Sequence, residues 1–111
     1  MTDATEVWVL EACTLPLLER PLRLGEFDAL FAHGLTAQER LSPTVLRWTI
    51  DPRAELTARD LTARETACCS FFTFGFAVDG GAVQLDVQVP SAQVEVLDAL
   101  AARASAGLAA A

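Results

Sequence analysis

Apolar and polar positions alternate most cleanly over residues 72–89. Phe72, Phe74, Phe76 and Val78 fall on one face, Asp79-Gly80-Gly81 supplies a turn, and Val83, Leu85, Val87 and Val89 alternate with Gln84, Asp86 and Gln88. This pattern predicts a β-hairpin with one buried face. Residues 44–50 alternate in the same way, with Leu46, Trp48 and Ile50 opposite Val45, Arg47 and Thr49, so a further strand is expected there. Val7-Trp8-Val9-Leu10 reads as a short apolar strand near the start, followed by a linker with Pro16 and Pro21. Leu24, Phe27, Phe31 and Leu35 recur near the helical period and predict a helix over about residues 22–34, with Gly34 as its stop. Ser42-Pro43 is a break. Asp51-Pro52 opens a second helix, the Asp as cap and the Pro in the first turn, running to about Cys69 or Ser70. Pro90-Ser91 ends the hairpin, and Ser91 is the expected cap of a third helix with Val94, Leu97, Leu100, Ala101 and Ala104 as its stripe.

The resulting order is β-α-β-α-β-β-α. Polar alternation on the hairpin implies a mostly antiparallel sheet with one open face, and helices must cover the other. The expected fold is therefore α+β, a two-layer sandwich. A chain of 111 residues fits a single domain over 1–111. Residues 1–5 and 105–111 read as loose ends around an ordered core of about 6–104.

Composition narrows the function. Hydrophobic residues make up 52% and charged residues 21% of the chain, enough apolar material to fold. A net charge of -7 argues against a nucleic-acid partner and against an anionic membrane surface. All 8 basic residues are arginine. The lack of lysine removes Schiff-base chemistry and a P-loop lysine; the lack of tyrosine removes a phenolic acid. His33 stands alone, which makes a Ser-His-Asp triad or a multi-histidine zinc site hard to build. No run approaches the ~18–20 apolar residues of a membrane span. Met1-Thr2-Asp3 carries neither the basic region nor the apolar run of a secretion signal, so the expected compartment is the cytoplasm, where thiols stay reduced.

Candidate chemistry concentrates in Glu65-Thr66-Ala67-Cys68-Cys69. On a helical wheel Ala54, Leu61 and Cys68 fall together, with Glu65 and Cys69 beside them. A carboxylate at the edge of a core stripe is costly to bury without a partner. Burial also suits it to general acid or base work. Thiolates are soft donors for Zn(II), Cu(I) or Hg(II). Adjacent cysteines point apart on a regular helix, so both reach one ion only if the helix ends there. Cys13, in the linker Ala12-Cys13-Thr14-Leu15-Pro16, is the natural third donor, and His33 a weaker fourth. The spacing does not match a C-x-x-C zinc ribbon. Free cysteine is also a common small core residue, and packing of Cys68 and Cys69 beneath the hairpin is the competing reading. Trp8 and Trp48 read as core, and Asp86, Glu95 and Asp98 as a solvated face.

The string Glu65-x-x-Cys68-Cys69-Ser70-Phe71-Phe72-x-Phe74 resembles a motif of small bacterial proteins carrying E-x-x-C-C-[PS]-F-[LF]-x-F. The upstream Cys13-Thr14-Leu15-Pro16, Glu19-Arg20-Pro21-Leu22-Arg23 and Glu26-Phe27-Asp28 are similar to an actinobacterial version of that group. The likeness spans about residues 13–103, with Ser70 where other members have proline. It implies an association with metal or mercury resistance and carries no defined reaction. Three expectations follow. The first is a small thiol-based protein that sequesters, senses or transfers a soft metal ion through Cys13, Cys68, Cys69 and Glu65. The second is an enzyme with Glu65 as acid or base and a cysteine nucleophile, acting on a small molecule in a pocket lined by Phe72, Phe74, Trp8 or Trp48. The third is an interaction domain that forms a homodimer through a sheet edge or a helix face, its cysteines structural.

Overall fold

Two β-hairpins meet at the middle of a single antiparallel sheet. The computed structural model describes residues 20–68 and 71–110, and side chains from 25–67 and 71–109. The elements run α1 (Arg20–His33), β1 (Leu35–Ser42), β2 (Val45–Ile50), a 3-10 turn (Pro52–Ala54), α2 (Glu55–Cys68), β3 (Thr73–Asp79), β4 (Ala82–Gln88), a second 3-10 turn (Ser91–Gln93) and α3 (Val94–Ala110). The strand order is β1-β2-β4-β3. The α+β sandwich expected from the pattern is the fold observed, with the helices packed on the sheet face that carries the alternating apolar residues.

Register explains why that face is a core. Leu46 lies opposite Val87, Trp48 opposite Leu85 and Ile50 opposite Val83; Phe74, Phe76 and Val78 extend the same rows from β3. Gly80 and Gly81 turn the β3–β4 hairpin with φ of 58° and 85°, a region that glycine occupies without steric cost. On the helix layer, Phe27 and Phe31 from α1 and Val96, Leu97, Leu100 and Ala104 from α3 complete one continuous core. Phe31 meets the Trp48 ring edge-on at 5.0 Å between centroids, a favoured aromatic geometry.

The element order departs from expectation at β1. Leu-Thr-Ala-Gln-Glu-Arg-Leu-Ser carries no apolar alternation, and after Leu35 its side chains are half-buried at most. It is a strand because it pairs with β2, through a register that shifts twice. Tertiary pairing there overrides residues that individually favour helix. The expected Val7–Leu10 strand and Trp8 lie outside the described residues. Ser91 sits inside the second 3-10 turn and no side chain caps it.

The expected loose end at 105–111 is helical to Ala110. α3 packs closely on α1: a Cβ on Gly107 would stand 2.5 Å from Phe31 Cβ. The α3 stripe also takes in Val96, which is fully buried, while Val94 is half-buried. Glu95 and Asp98 are exposed and Asp86 is partly exposed, as expected of a solvated face, and the acids at 86 and 98 are also partnered. Arg47 donates to both Asp86 oxygens across β2–β4, at 2.7 and 3.0 Å, and Arg40 donates to Asp98 at 2.8 Å.

Candidate functional site at the end of α2

α2 begins with a well-made start. Asp51 accepts from the Arg53 N–H at 2.9 Å, and Pro52 occupies the first turn, where its missing N–H is harmless. Two Leu-Thr-Ala-Arg tetrads follow, five residues apart. Five residues advance the helix by about 140° beyond a full turn, so identical tetrads do opposite things: Leu56 is exposed, whereas Leu61 and Thr62 are buried. The buried stripe is Ala58, Leu61, Thr62 and Glu65. Thr62 is buried without cost because its hydroxyl donates to the Ala58 carbonyl at 2.9 Å. Thr66 does the same to Thr62.

Glu65 is 2% exposed. The expectation that helical spacing turns this carboxylate toward the core therefore holds. Cys68, one turn further on, is the last described residue of α2. The described backbone resumes at Phe71, where three aromatic rings run in series: Phe71–Phe72 centroids are 4.6 Å apart and Phe72–Phe74 5.3 Å. Phe72 is buried. Cys13, Cys69 and the Cys68 side chain fall outside the described residues. Among the described residues, no three His, Cys, Asp or Glu side chains group as metal ligands. His33 is exposed at the end of α1, beside the start of α2 and away from Cys68. Trp48 is wholly buried and donates to Gln38 at 2.7 Å, which makes it a core residue and not a pocket wall.

The pairing of α1 with α2 sets which ends meet. The Asp51 N–H donates to the Gly34 carbonyl at 2.8 Å, tying the end of α1 to the start of the α2 segment. Further along, Arg64 donates to both Glu26 oxygens, at 3.1 and 2.8 Å. The helices are thus antiparallel, and the first turn of α1 lies at the end of the layer that holds Cys68. That first turn carries no acid, and Arg20 and Arg23 belong to it.

Between the same two helices runs a cleft of about 600 Å³. Its floor is Leu30, Ala54 and Leu61; its charged walls are Glu26 with Arg64 and Asp51 with Arg53. Each guanidinium already holds a carboxylate, which raises both arginine pKa values and lowers that of Asp51. Glu65 is not among the lining residues. The i,i+4 pair Asp60–Arg64 was readable from spacing; the reach of Arg64 to Glu26 depends on helix packing and was not. No protein family, curated protein or solved structure matches the chain, so the site is interpreted from its own residues.

Proposed function

We propose that the α2 terminus is a soft-metal site, with Cys68 and Cys69 as thiolate ligands, Cys13 as the third donor and Glu65 as the carboxylate beside them. The protein would sequester, sense or hand over a thiophilic ion such as Zn(II), Cu(I) or Hg(II). The observation that carries this reading is the antiparallel α1–α2 pair. It brings the start of α1 to the level of Cys68. Cys13 precedes Arg20 by seven residues, a length of chain that spans up to roughly 25 Å. Helices in contact lie only about 8–10 Å apart, so the third thiol is well within reach of the pair.

The buried Glu65, three residues before Cys68 on α2, supports it by placing a carboxylate close in sequence to the thiols. The resemblance to the E-x-x-C-C-[PS]-F group points to the same chemistry. The reading assigns the protein to the cytoplasm, where such thiols stay reduced. Among the described residues, no helix is long and apolar enough to cross a membrane.

Titration of reduced protein with Hg(II), Cu(I) or Zn(II), followed by native mass spectrometry, should show one tightly held ion per chain. Cys68→Ser/Cys69→Ser should abolish it, and Cys13→Ser should weaken it without abolishing it. Equal uptake by the double variant and the wild type would eliminate the proposal.

A further inference from the structure

The two outer strands of the described sheet differ in character. β1 carries Glu39 and Arg40 in mid-strand, and its register with β2 shifts twice. Charges and bulges are devices by which edge strands refuse new partners. β3 carries no charge over Thr73 to Val78, and its register with β4 is unbroken. Among the described residues, no strand pairs with its outer side. A bare, regular edge is a liability that proteins cover.

The chain holds a strand-forming run outside the described elements, Val7-Trp8-Val9-Leu10. Where that run can go is limited by α1. The first turn of α1 lies at the end of the layer that holds Cys68, and β3 starts five residues after Cys68. α2 lies over β3, with the Arg59 guanidinium 4.3 Å from the Phe76 ring centre. The step from Arg20 to the β3 edge is thus one helix spacing across and one layer down, each about 10 Å. Leu10 precedes Arg20 by ten residues, a length of chain that spans up to roughly 33 Å. The run therefore reaches the start of β3 with chain to spare.

We propose that residues 7–10 add to the sheet as a fifth strand, paired antiparallel with the first half of β3. Connectivity sets the direction. The run must leave the sheet at the end where β3 begins, so it runs against β3, as neighbours do throughout the described sheet. Setting Leu10 beside Thr73 puts Val9 and Val7 beside Phe74 and Phe76, which are half-buried. The same register puts Trp8 across from Gly75, where a Cβ would meet nothing within 4 Å. A large ring beside a strand glycine is a stabilising cross-strand pair. Tethering favours this occupant over a second copy. On a short linker, the effective concentration of the run at the β3 edge is about millimolar.

The added strand also acts on the thiol site, a consequence that rests on the soft-metal reading above. Cys13 follows Leu10 by three residues. Strand pairing therefore holds it at the end of the layer that carries Cys68, and the third donor is in place before an ion arrives.

Amide exchange of the full, reduced, metal-free chain, followed by NMR, tests the strand. Alternate amides of β3 point away from β4. These outward amides, and amides within residues 7–10, should exchange roughly tenfold or more slowly than free peptide, at every protein concentration. Successive residues of a strand point their N–H groups to opposite sides. Trp8→Pro/Val9→Pro therefore removes a donor from the pairing whatever the register. In that variant the outward β3 amides should lose their protection, while the amides bonded to β4 keep theirs and report an intact fold. Outward amides that exchange freely in the wild type would overturn the proposal. Protection that rises with protein concentration would assign the edge to a second copy, and protection untouched by the two prolines would assign it to something else; either result also overturns it. No metal is present, so a failed thiol site leaves these outcomes unchanged.

Discussion

Over β1 and β2 the covering helices are fastened by hydrogen bonds and ion pairs; over β3 the covering helix sets a guanidinium over an aromatic ring. On the first flank, Gln38 accepts from Trp48 and donates to the Ala101 carbonyl at 3.1 Å and to Ser105 at 2.9 Å. Arg40 reaches Asp98 at 2.8 Å, and Arg103 reaches Asp28 at 2.6 Å. On the second flank α2 meets β3 through Arg59 over Phe76, while Leu56 and Val78 stay in water. The buried Glu65 belongs to this second flank. Among the described residues, polar fastening and exposed apolar side chains thus fall on opposite sides of one small sheet.

Matched glycine substitutions probe the contrast most strongly. Gly107→Ala puts a methyl carbon 2.5 Å from Phe31 Cβ and 2.9 Å from the Phe31 carbonyl carbon. Helix propensity favours the alanine by about 1 kcal/mol, but backbone must move to admit it. A net loss of about 2 kcal/mol is expected in urea unfolding. Gly75→Ala on β3 meets nothing within 4 Å and should change stability by less than about 0.5 kcal/mol. Equal losses at the two sites would erase the distinction between the flanks.

The polar fastening comes next. Gln38→Ala leaves the buried Trp48 N–H without its acceptor, at a cost of about 2 kcal/mol. Adding Trp48→Phe removes the orphaned donor, so the double-mutant cycle should show strong coupling. Additive losses would mean that the bond contributes little.

The smallest effect lies on the open face of the sheet, where Arg47 holds the Asp86 carboxyl below the usual carboxylate range by hydrogen bonding, with partial burial opposing. A depressed carboxylate stabilises the fold at pH values above its unfolded pKa. That contribution falls away as pH drops through the folded value, so it is lost only in acid. Because the pair is half-exposed, about 0.5 kcal/mol is at stake. Asp86→Asn should flatten the acid limb of the stability profile slightly, and a steeper limb would contradict the assignment.

Regular alternation made β2, β3 and β4 readable, because the side-chain period is two; β2 and β4 bury one face, whereas on β3 Phe74 and Phe76 are half-buried and the expected Val78 is exposed. The Asp51-Pro52 start of α2 and the inward turn of Glu65 were readable for the same local reason. β1 was not, since its strand character comes from pairing with β2 and from Gln38 and Arg40 reaching α3, over sequence separations no local pattern carries. Residues 105–110 looked like a fraying tail because Ala, Ser and Gly bury little area. They are helical because Gly107 lets α3 approach Phe31. Asp98 and Asp86 do face solvent, but nothing local showed the arginines opposite them. At the candidate site, the Glu65–Cys68 spacing was legible and the meeting of α1 with α2 was not.

The bond between Trp48 and Gln38 also makes an optical instrument of the core. The Trp48 ring is wholly buried against Phe31, and its N–H is held by the residue that also holds α3. Any loosening of α3 that frees Gln38 therefore changes the polarity around an indole. In a Trp8→Phe background, the emission wavelength of Trp48 becomes a direct reading of how firmly that helix is seated.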